Sequence, residues 1–344
     1  MVSGLLLFSW EQNAWMVAAA LAVDAIVGDP ARLPHPVVAI GRWIRWVESK
    51  TYAKEPKGRS FLLGAFLCLA TALLSAAAAY AIVAACLAIH PWLGAAANVW
   101  LISTTIAWKG LADAAWRVYR PLSDGRLEEA RTYTGYIVGR DTADLDEAEL
   151  TRATVETVAE NTVDAVLSPV MFALLGGAAG AFLYRAVNTL DSMVGYRNER
   201  YAWYGKASAR LDDALNFVPA RLAALLLAAA AAMRGGAGRD GRKGRTPGFA
   251  AAADALRAVR RYARLHPSPN SGFPEAAVAG ALGVRLGGTN RYGGVESRRA
   301  HMGEARHPLR KEHIRETVGL LHRFGGLLLG GLLCAAAFAT WGIG

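Results

Sequence analysis

From Phe61 to Trp108 the sequence contains no Lys, Arg, Asp or Glu. A soluble domain rarely buries so long an uncharged run, whereas a bilayer span needs about 20 apolar residues, so the absence points to a membrane protein. Cysteine is scarce as well. Cys68, Cys86 and Cys334 all stand in apolar runs, which argues against a disulfide framework or a cysteine metal site and leaves small buried hydrophobes. No P-loop occurs, because the glycines at 287–294 are not followed by Lys and then Ser or Thr. Nor is there a dinucleotide fingerprint or a nucleophile elbow, and no covalent nucleophile is identified. The N-terminus lacks a basic n-region and Glu11 interrupts its first apolar stretch, so no cleaved signal peptide is expected.

What is present is positive charge outside the apolar runs: 38 Lys and Arg against 28 Asp and Glu, a net +10 over 344 residues. Nucleic acid is not the expected partner, since no aromatic–basic interleaving and no zinc spacing accompanies that charge. The basic residues collect in loops, as cytoplasmic loops do, and the bilayer is the expected partner. The apolar segments fall at 14–28, 61–89, 93–108, 165–184, 214–233 and 320–343. The fold class is therefore all-α: a single-domain polytopic membrane protein with about four to six embedded helical segments, some broken or re-entrant. Segment 61–89 is the longest span, and 93–108 returns after an external turn at His90-Pro91-Trp92. Residues 109–162 read as polar and helical. Residues 234–316 read as a cytoplasmic basic and Gly/Pro-rich region, with an amphipathic helix at 249–265 and irregular chain over 266–313. The basic loops 42–59 and 234–264 both belong in the cytoplasm, so segments 165–184 and 214–233 both cross or both do not. Ser168-Pro169 and Gly176-Gly177 in one, and twelve uncharged residues (222–233) in the other, favour non-crossing.

Four polar clusters are candidates for chemistry. Asp24, Asp29 and His35 lie where the first helix ends, although Gly28 and Pro30 also make ordinary turn chemistry there. Glu156, Glu160 and Asp164 share one helix face at a spacing of four. Like charges so placed repel, and either solvent or a cation such as magnesium would relieve them. In the third cluster Arg185, Asn188, Arg197, Asn198, Arg200 and Arg210 are suited to phosphate, and Asp212 and Asp213 to magnesium, unless the charges simply pair with one another. The fourth cluster holds Asn270, Ser271, Gly288 and Asn290, where glycine permits close approach of backbone N–H groups to a phosphate but would equally make tight turns.

Four long stretches carry a resemblance: DAIVGDPARLPHPVVAIG (24–41), GRDTADLDEAELTRATVETVAENTVDAVLSPVMFALLGG (139–177), YRAVNTLDSMVGYRNERYAWYGKASARLDDALNFVPARL (184–222) and HPSPNSGFPEAAVAGALGVRLGGTNRYGG (266–294). In these the chain resembles the cobinamide-phosphate synthase family of cobalamin biosynthesis, the CobD/CbiB proteins, over roughly residues 20–340. The resemblance implies a ligase of the inner (plasma) membrane that joins adenosylcobyric acid to 1-amino-2-propanol O-2-phosphate through an amide bond. It implies ATP and Mg²⁺, and other late corrinoid-pathway enzymes as further partners. Asp24, Asp29, His35, Glu160 and Asp164 are then the catalytic candidates, one of them taking the proton of the amine. A transporter or a scaffold for corrinoid intermediates is the alternative. Broken helices and intramembrane carboxylates suit a transporter, but the two halves of the chain show no inverted repeat.

Overall fold

A computed structural model describes residues 7–29, 35–52, 56–196, 198–234 and 248–341. Arg197 and the Gly/Arg-rich stretch 235–245 lie outside these. The chain forms two compact units, each built from separated pieces of sequence.

The first unit comprises Met1–Ala107, Asp164–Asn216 and Leu329–Gly344. Helix α1 (Trp10–Val27) begins with a capping box, in which the Ser9 hydroxyl accepts from the Gln12 N–H and the Gln12 side chain accepts from the Ser9 N–H. It stops at Gly28, whose φ of 66° few other residues adopt readily. Helix α2 (Pro36–Thr51) starts on a proline at its first position, with the His35 ring as cap. Helix α3 (Lys57–Ile89) has 33 residues, about 50 Å at 1.5 Å each. Phe61, Leu62, Phe66, Leu69, Leu73, Leu74 and Ile82 are exposed along it, a surface that lipid rather than water would cover. Helix α4 (Pro91–Ser103) follows the His90 turn but has only 13 residues, about 20 Å. That is short of the ~30 Å hydrocarbon core, so the return segment expected over 93–108 ends early. The chain then turns through Thr104 and Thr105, whose hydroxyls donate to the Leu101 and Ile102 carbonyls.

The second unit comprises Trp108–Val163 and Phe217–Leu328. Helix α5 (Trp108–Ser123) buries Trp108, Leu111, Ala112, Ala115, Val118 and Leu122, the three-and-four spacing of an amphipathic helix. After α6 (Leu127–Gly135), Asp146 caps α7 (Glu147–Thr162) by accepting from the Glu149 N–H at 2.8 Å. The polar region 109–162 is thus mostly helical, with an irregular stretch over 136–146.

A π turn at Val163–Leu167 continues the helix into α8 (Ser168–Val194), in the first unit. Helix α8 breaks at Gly176 and Gly177, the latter at φ 58° and ψ −146°. The break frees backbone groups, and two asparagines meet them. Asn98 Oδ1 accepts from the Ala178 N–H at 2.9 Å, and Asn13 Nδ2 donates to the Ala173 and Leu174 carbonyls. Helices α9 (Lys206–Leu215) and α10 (Phe217–Ala232) follow, then α11 (Gly248–Tyr262). The stretch 266–313 is not irregular throughout. It contains the buried helix α12 (Gly272–Leu282) and an antiparallel hairpin of β1 (Leu286–Tyr292) and β2 (Val295–Met302). The fold is all-α apart from this hairpin. Small residues hide α12 from a reading by periodicity, because GFPEAAVAGAL has no polar face and is buried nearly all round. Helix α13 (Glu312–Trp341) closes the chain.

Among the described residues three helices are long and apolar enough to cross a membrane, within Lys57–Ile89, Glu147–Val194 and Glu312–Thr340, and a fourth span results if α9 and α10 count as one bent segment. Replacing Asn98 by Leu would leave the buried Ala178 N–H without its acceptor. The expected loss is about 1–3 kcal/mol of stability, read as a lower melting temperature in detergent. An unchanged melting temperature would show that the break needs no side-chain support.

Candidate functional site: two polar centres

The first unit gathers the first and third sequence clusters around α8 and α9. Ser168 and Tyr184 hydroxyls both donate to Asn216 Oδ1, at 2.6 and 2.9 Å. The Asn216 amide in turn donates to Asp212 Oδ2 at 3.0 Å. The other Asp212 oxygen accepts from Asn188 Nδ2 at 3.3 Å, and Asn188 Oδ1 accepts from Arg185 at 3.4 Å. The Arg185 guanidinium lies in the field of Asp29, Asp164 and Asp24, and its buried Nε–H has no acceptor in the structure. Asp191 and Asp213, by contrast, repel the Asp212 carboxylate. Arg185 is half-buried, and an N–H donor that is itself buried and unspent is costly, although the surrounding carboxylates favour the charge.

His35 is placed differently from the base expected. Its Nδ1 accepts from the Val37 N–H at 3.3 Å, so a neutral ring carries its proton on Nε2, which lies 3.2 Å from Asp29 Oδ1. Both nitrogens are engaged, and the ring ties Asp29 to the start of α2. Arg200 is also committed. It donates to Glu48 at 2.8 Å, and its guanidinium lies over the rings of Tyr52 and Tyr201. Asn198 closes a turn by accepting from the Tyr201 N–H at 2.9 Å. Arg210 is exposed on α9.

The second unit brings Glu156 and Glu160 of the second cluster together with the fourth, whereas Asp164 falls in the first unit. Glu156 is 5% exposed. It accepts from Arg140, from Arg152 at 3.1 Å and from the Gly287 N–H at 2.8 Å. Asn290 Oδ1 bridges the same two guanidinium groups. The repulsion expected to draw a cation to Glu156 is therefore met by arginine and backbone, and the carboxylate has little capacity left for magnesium. Glu160 accepts from the Ser271 hydroxyl at 2.7 Å. Asn270 Oδ1 accepts from Arg221 at 3.4 Å. Gly288, at φ 100°, pairs with Arg299 in the hairpin, where a Cβ would press on the His301 ring. Among the described residues no group of three or more His, Cys, Asp or Glu side chains is disposed to hold a metal ion.

Sequence reasoning missed Arg140, Arg152 and Glu275. The first two stand in the GRDTADLDEAELTR stretch, whose dense charge was legible but whose long-range partners were not. Glu275 sits in α12 at 2% exposure. Its Oε1 and the Nε2 of His266 face each other at 3.6 Å, and neither atom has a hydrogen-bond partner. His266 Nδ1 accepts from the Ser268 N–H at 3.0 Å, which directs its proton to Nε2. Burial pushes the Glu275 carboxyl well above the usual carboxylate range, and Glu156 and Glu160 push the same way. Burial pushes His266 down. Both shifts favour the neutral forms.

A carboxyl whose pKa is raised by folding contributes fully below its unfolded pKa, and that contribution is lost as pH rises to the folded value. Glu275→Gln keeps the shape of the protonated acid but cannot ionise. The melting temperature of this variant relative to wild type should climb as pH rises above the ordinary carboxylate range. A pH-independent difference would mean that Glu275 is ionised in the fold.

The sequence model of the CobD/Cbib protein family matches residues 17–321. The cobalamin biosynthesis protein CobD of Klebsiella pneumoniae is 44% identical over 309 residues, covering 90% of this chain and 92% of its own. CobD of Geobacter metallireducens is 44% identical over 94% of this chain and 96% of its own. The cobalamin biosynthesis protein CbiB of Salmonella typhimurium is 42% identical with the same coverage of both chains. No solved structure matches. With a family match over most of its length and relatives this similar end to end, the chain belongs to the CobD/CbiB family.

Proposed function

We propose that this protein is the adenosylcobinamide-phosphate synthase of cobalamin biosynthesis, an ATP-dependent acid–amine ligase. The relatives' names support a place in that pathway. One observation supports the chemistry: the half-buried Arg185 with its buried, unspent Nε–H, held by the Asn188–Asp212–Asn216 chain among carboxylates. An arginine fork suits phosphate geometrically, and both ATP and the aminopropanol phosphate carry phosphate.

The substrate carboxylate of adenosylcobyric acid is not electrophilic enough to take an amine. ATP supplies a phosphoryl or adenylyl group to one of its oxygens. The amine nitrogen then forms the C–N bond, and the activated oxygen leaves with that group. Arg185 and Arg210 bind the phosphates and offset the negative charge that develops. Asp24, Asp29 or Asp164 takes the ammonium proton before attack. His35 orients Asp29, because both of its nitrogens are committed. Magnesium enters with the nucleotide. The donor set fits a cation that keeps several waters and phosphate oxygens and takes only one or two carboxylates, and Asp212 with Asp213 would supply these. The membrane setting keeps water from the activated acyl group.

Purified protein in detergent, given ATP, magnesium, adenosylcobyric acid and aminopropanol phosphate, should form adenosylcobinamide phosphate. A transporter or scaffold would form none. Arg185→Lys keeps the charge and loses the fork, which should cost about 1–3 kcal/mol, roughly a ten- to hundredfold fall in kcat/KM, at unchanged melting temperature. A lowered melting temperature with normal kcat/KM would make Arg185 structural.

The same reading places the protein in the inner membrane with the basic loops in the cytoplasm. In a variant whose native cysteines are replaced, an impermeant thiol reagent added to intact cells should label a cysteine at position 92 and not one at position 50. The reverse pattern would invert the orientation.

A further inference from the structure

In the second unit, α11, α12 and the segment around Arg306 enclose a cavity of about 400 Å³. Its wall carries Arg257, Arg260, Arg261 and Arg306, with Asp254 and Glu304 as the acids. The backbone explains why the cavity is there. Helices α11 and α12 approach so closely that a Cβ on Gly280 would lie 2.5 Å from the Asp254 carbonyl oxygen. The end of α12 is then set by Gly283 at φ 67°, whose carbonyl accepts from the N–H groups of Arg306 and His307, both at 3.0 Å. Arg306 is thereby held across from α11.

Charge in the cavity is unbalanced. The buried Asp254 accepts from Arg257 and from Arg306 at 2.7 Å. Glu304 accepts from Arg261 at 3.0 Å and from Arg306 at 3.4 Å. Three guanidinium groups thus share two carboxylates, and the fourth, that of Arg260, has no ion-pair or hydrogen-bond partner among the described residues. Arg257 and Arg261 are about two-thirds exposed. Such exposed pairs contribute little, so these side chains can turn toward a ligand at small cost. The excess of two positive charges suffices for a phosphate monoester, about −1.5 to −2 at neutral pH, as well as for the single charge of a phosphodiester headgroup, and the guanidinium plane offers either of them paired donors. Leu256 and Leu265 lie exposed on the same stretch of chain.

We propose that this cavity is a phosphate-binding site, which the ligation chemistry above does not use. The phosphate belongs either to a small soluble ester or to the headgroup of an anionic phospholipid, and the chemistry of recognition is the same for both. Melting of the full chain in detergent tests it with two probes: inorganic phosphate against chloride at equal ionic strength, and phosphatidylglycerol against phosphatidylcholine doped into the micelles. Wild type should melt higher with at least one anionic probe. Arg260→Glu should melt like wild type without probe, because Arg260 has no partner to lose, and should need at least tenfold more probe for the same shift. Arg261→Gln, which lowers the charge without reversing it, should fall between. A response to phosphatidylglycerol alone identifies the headgroup, and a response to inorganic phosphate alone identifies a soluble ester. If neither probe separates Arg260→Glu from wild type, the cavity is a solvated basic face and the proposal is wrong. Since the readout is the difference between variants, phosphate binding elsewhere in the chain does not mimic it, and the ligation assay is independent of it.

Discussion

Glu156 can be buried only because two guanidinium groups and a backbone N–H converge on it. An isolated carboxylate in a protein interior costs far more than a fold of ordinary stability can absorb. Arg140, Arg152 and the Gly287 N–H remove that cost, and in doing so they tie three distant pieces of sequence to one point. The loop before α7, α7 itself and the first strand of the hairpin all take their positions from the same carboxylate. Breaking a buried pair by removing one partner typically costs about 3–5 kcal/mol, so the arrangement is strongly specified. The same constraint acts at the Gly176–Gly177 break, where Asn13 and Asn98 answer the freed backbone, and along the Ser168–Asn216–Asp212–Asn188 chain. Apolar burial holds these helices together, while their relative settings are decided by where buried polar groups find partners.

The apolar architecture was legible in the sequence because it is written locally. The uncharged run after Phe61 became the longest helix, and the charge-free closing segment became α13. Reading failed where composition and geometry part. Segment 93–108 is apolar throughout, yet its helix stops at Ser103 because Thr104 and Thr105 turn their hydroxyls back onto the preceding carbonyls. Residues 266–313 look like loop because Gly, Pro and Asn dominate. The alanine-rich α12 lies among them, and a helix buried on all sides has no polar stripe to announce it.

The site was legible as an inventory and illegible as a set of bonds. Spacing put Glu156 and Glu160 on one face, which is correct, but could not show that Arg140, sixteen residues earlier, would reach Glu156. Arg185, Arg200 and Arg210 looked equivalent in sequence. The structure separates them: Arg200 is paired with Glu48, Arg210 is exposed, and Arg185 alone holds a buried, unspent donor. Glu275 drew no notice because a single acid in an alanine-rich stretch carries no pattern. Only its burial opposite His266 marks it.

These distinctions bear on how charge is used in a protein of this kind. An arginine whose hydrogen bonds are all made inside the fold has nothing left to offer a substrate, and its removal is felt as instability. An arginine with a donor left over stores a cost that a bound anion would relieve. By that criterion the Glu156 network is architecture, whereas Arg185, half-buried among carboxylates, keeps the unspent donor on which the proposed phosphate contact rests. A phosphate bound at Arg185 would bring its own charge into a region already rich in carboxylates, so it would have to arrive with a cation. Magnesium–nucleotide meets that condition and a free anion does not, which links the acidic surroundings of Arg185 to the ATP dependence proposed for the reaction.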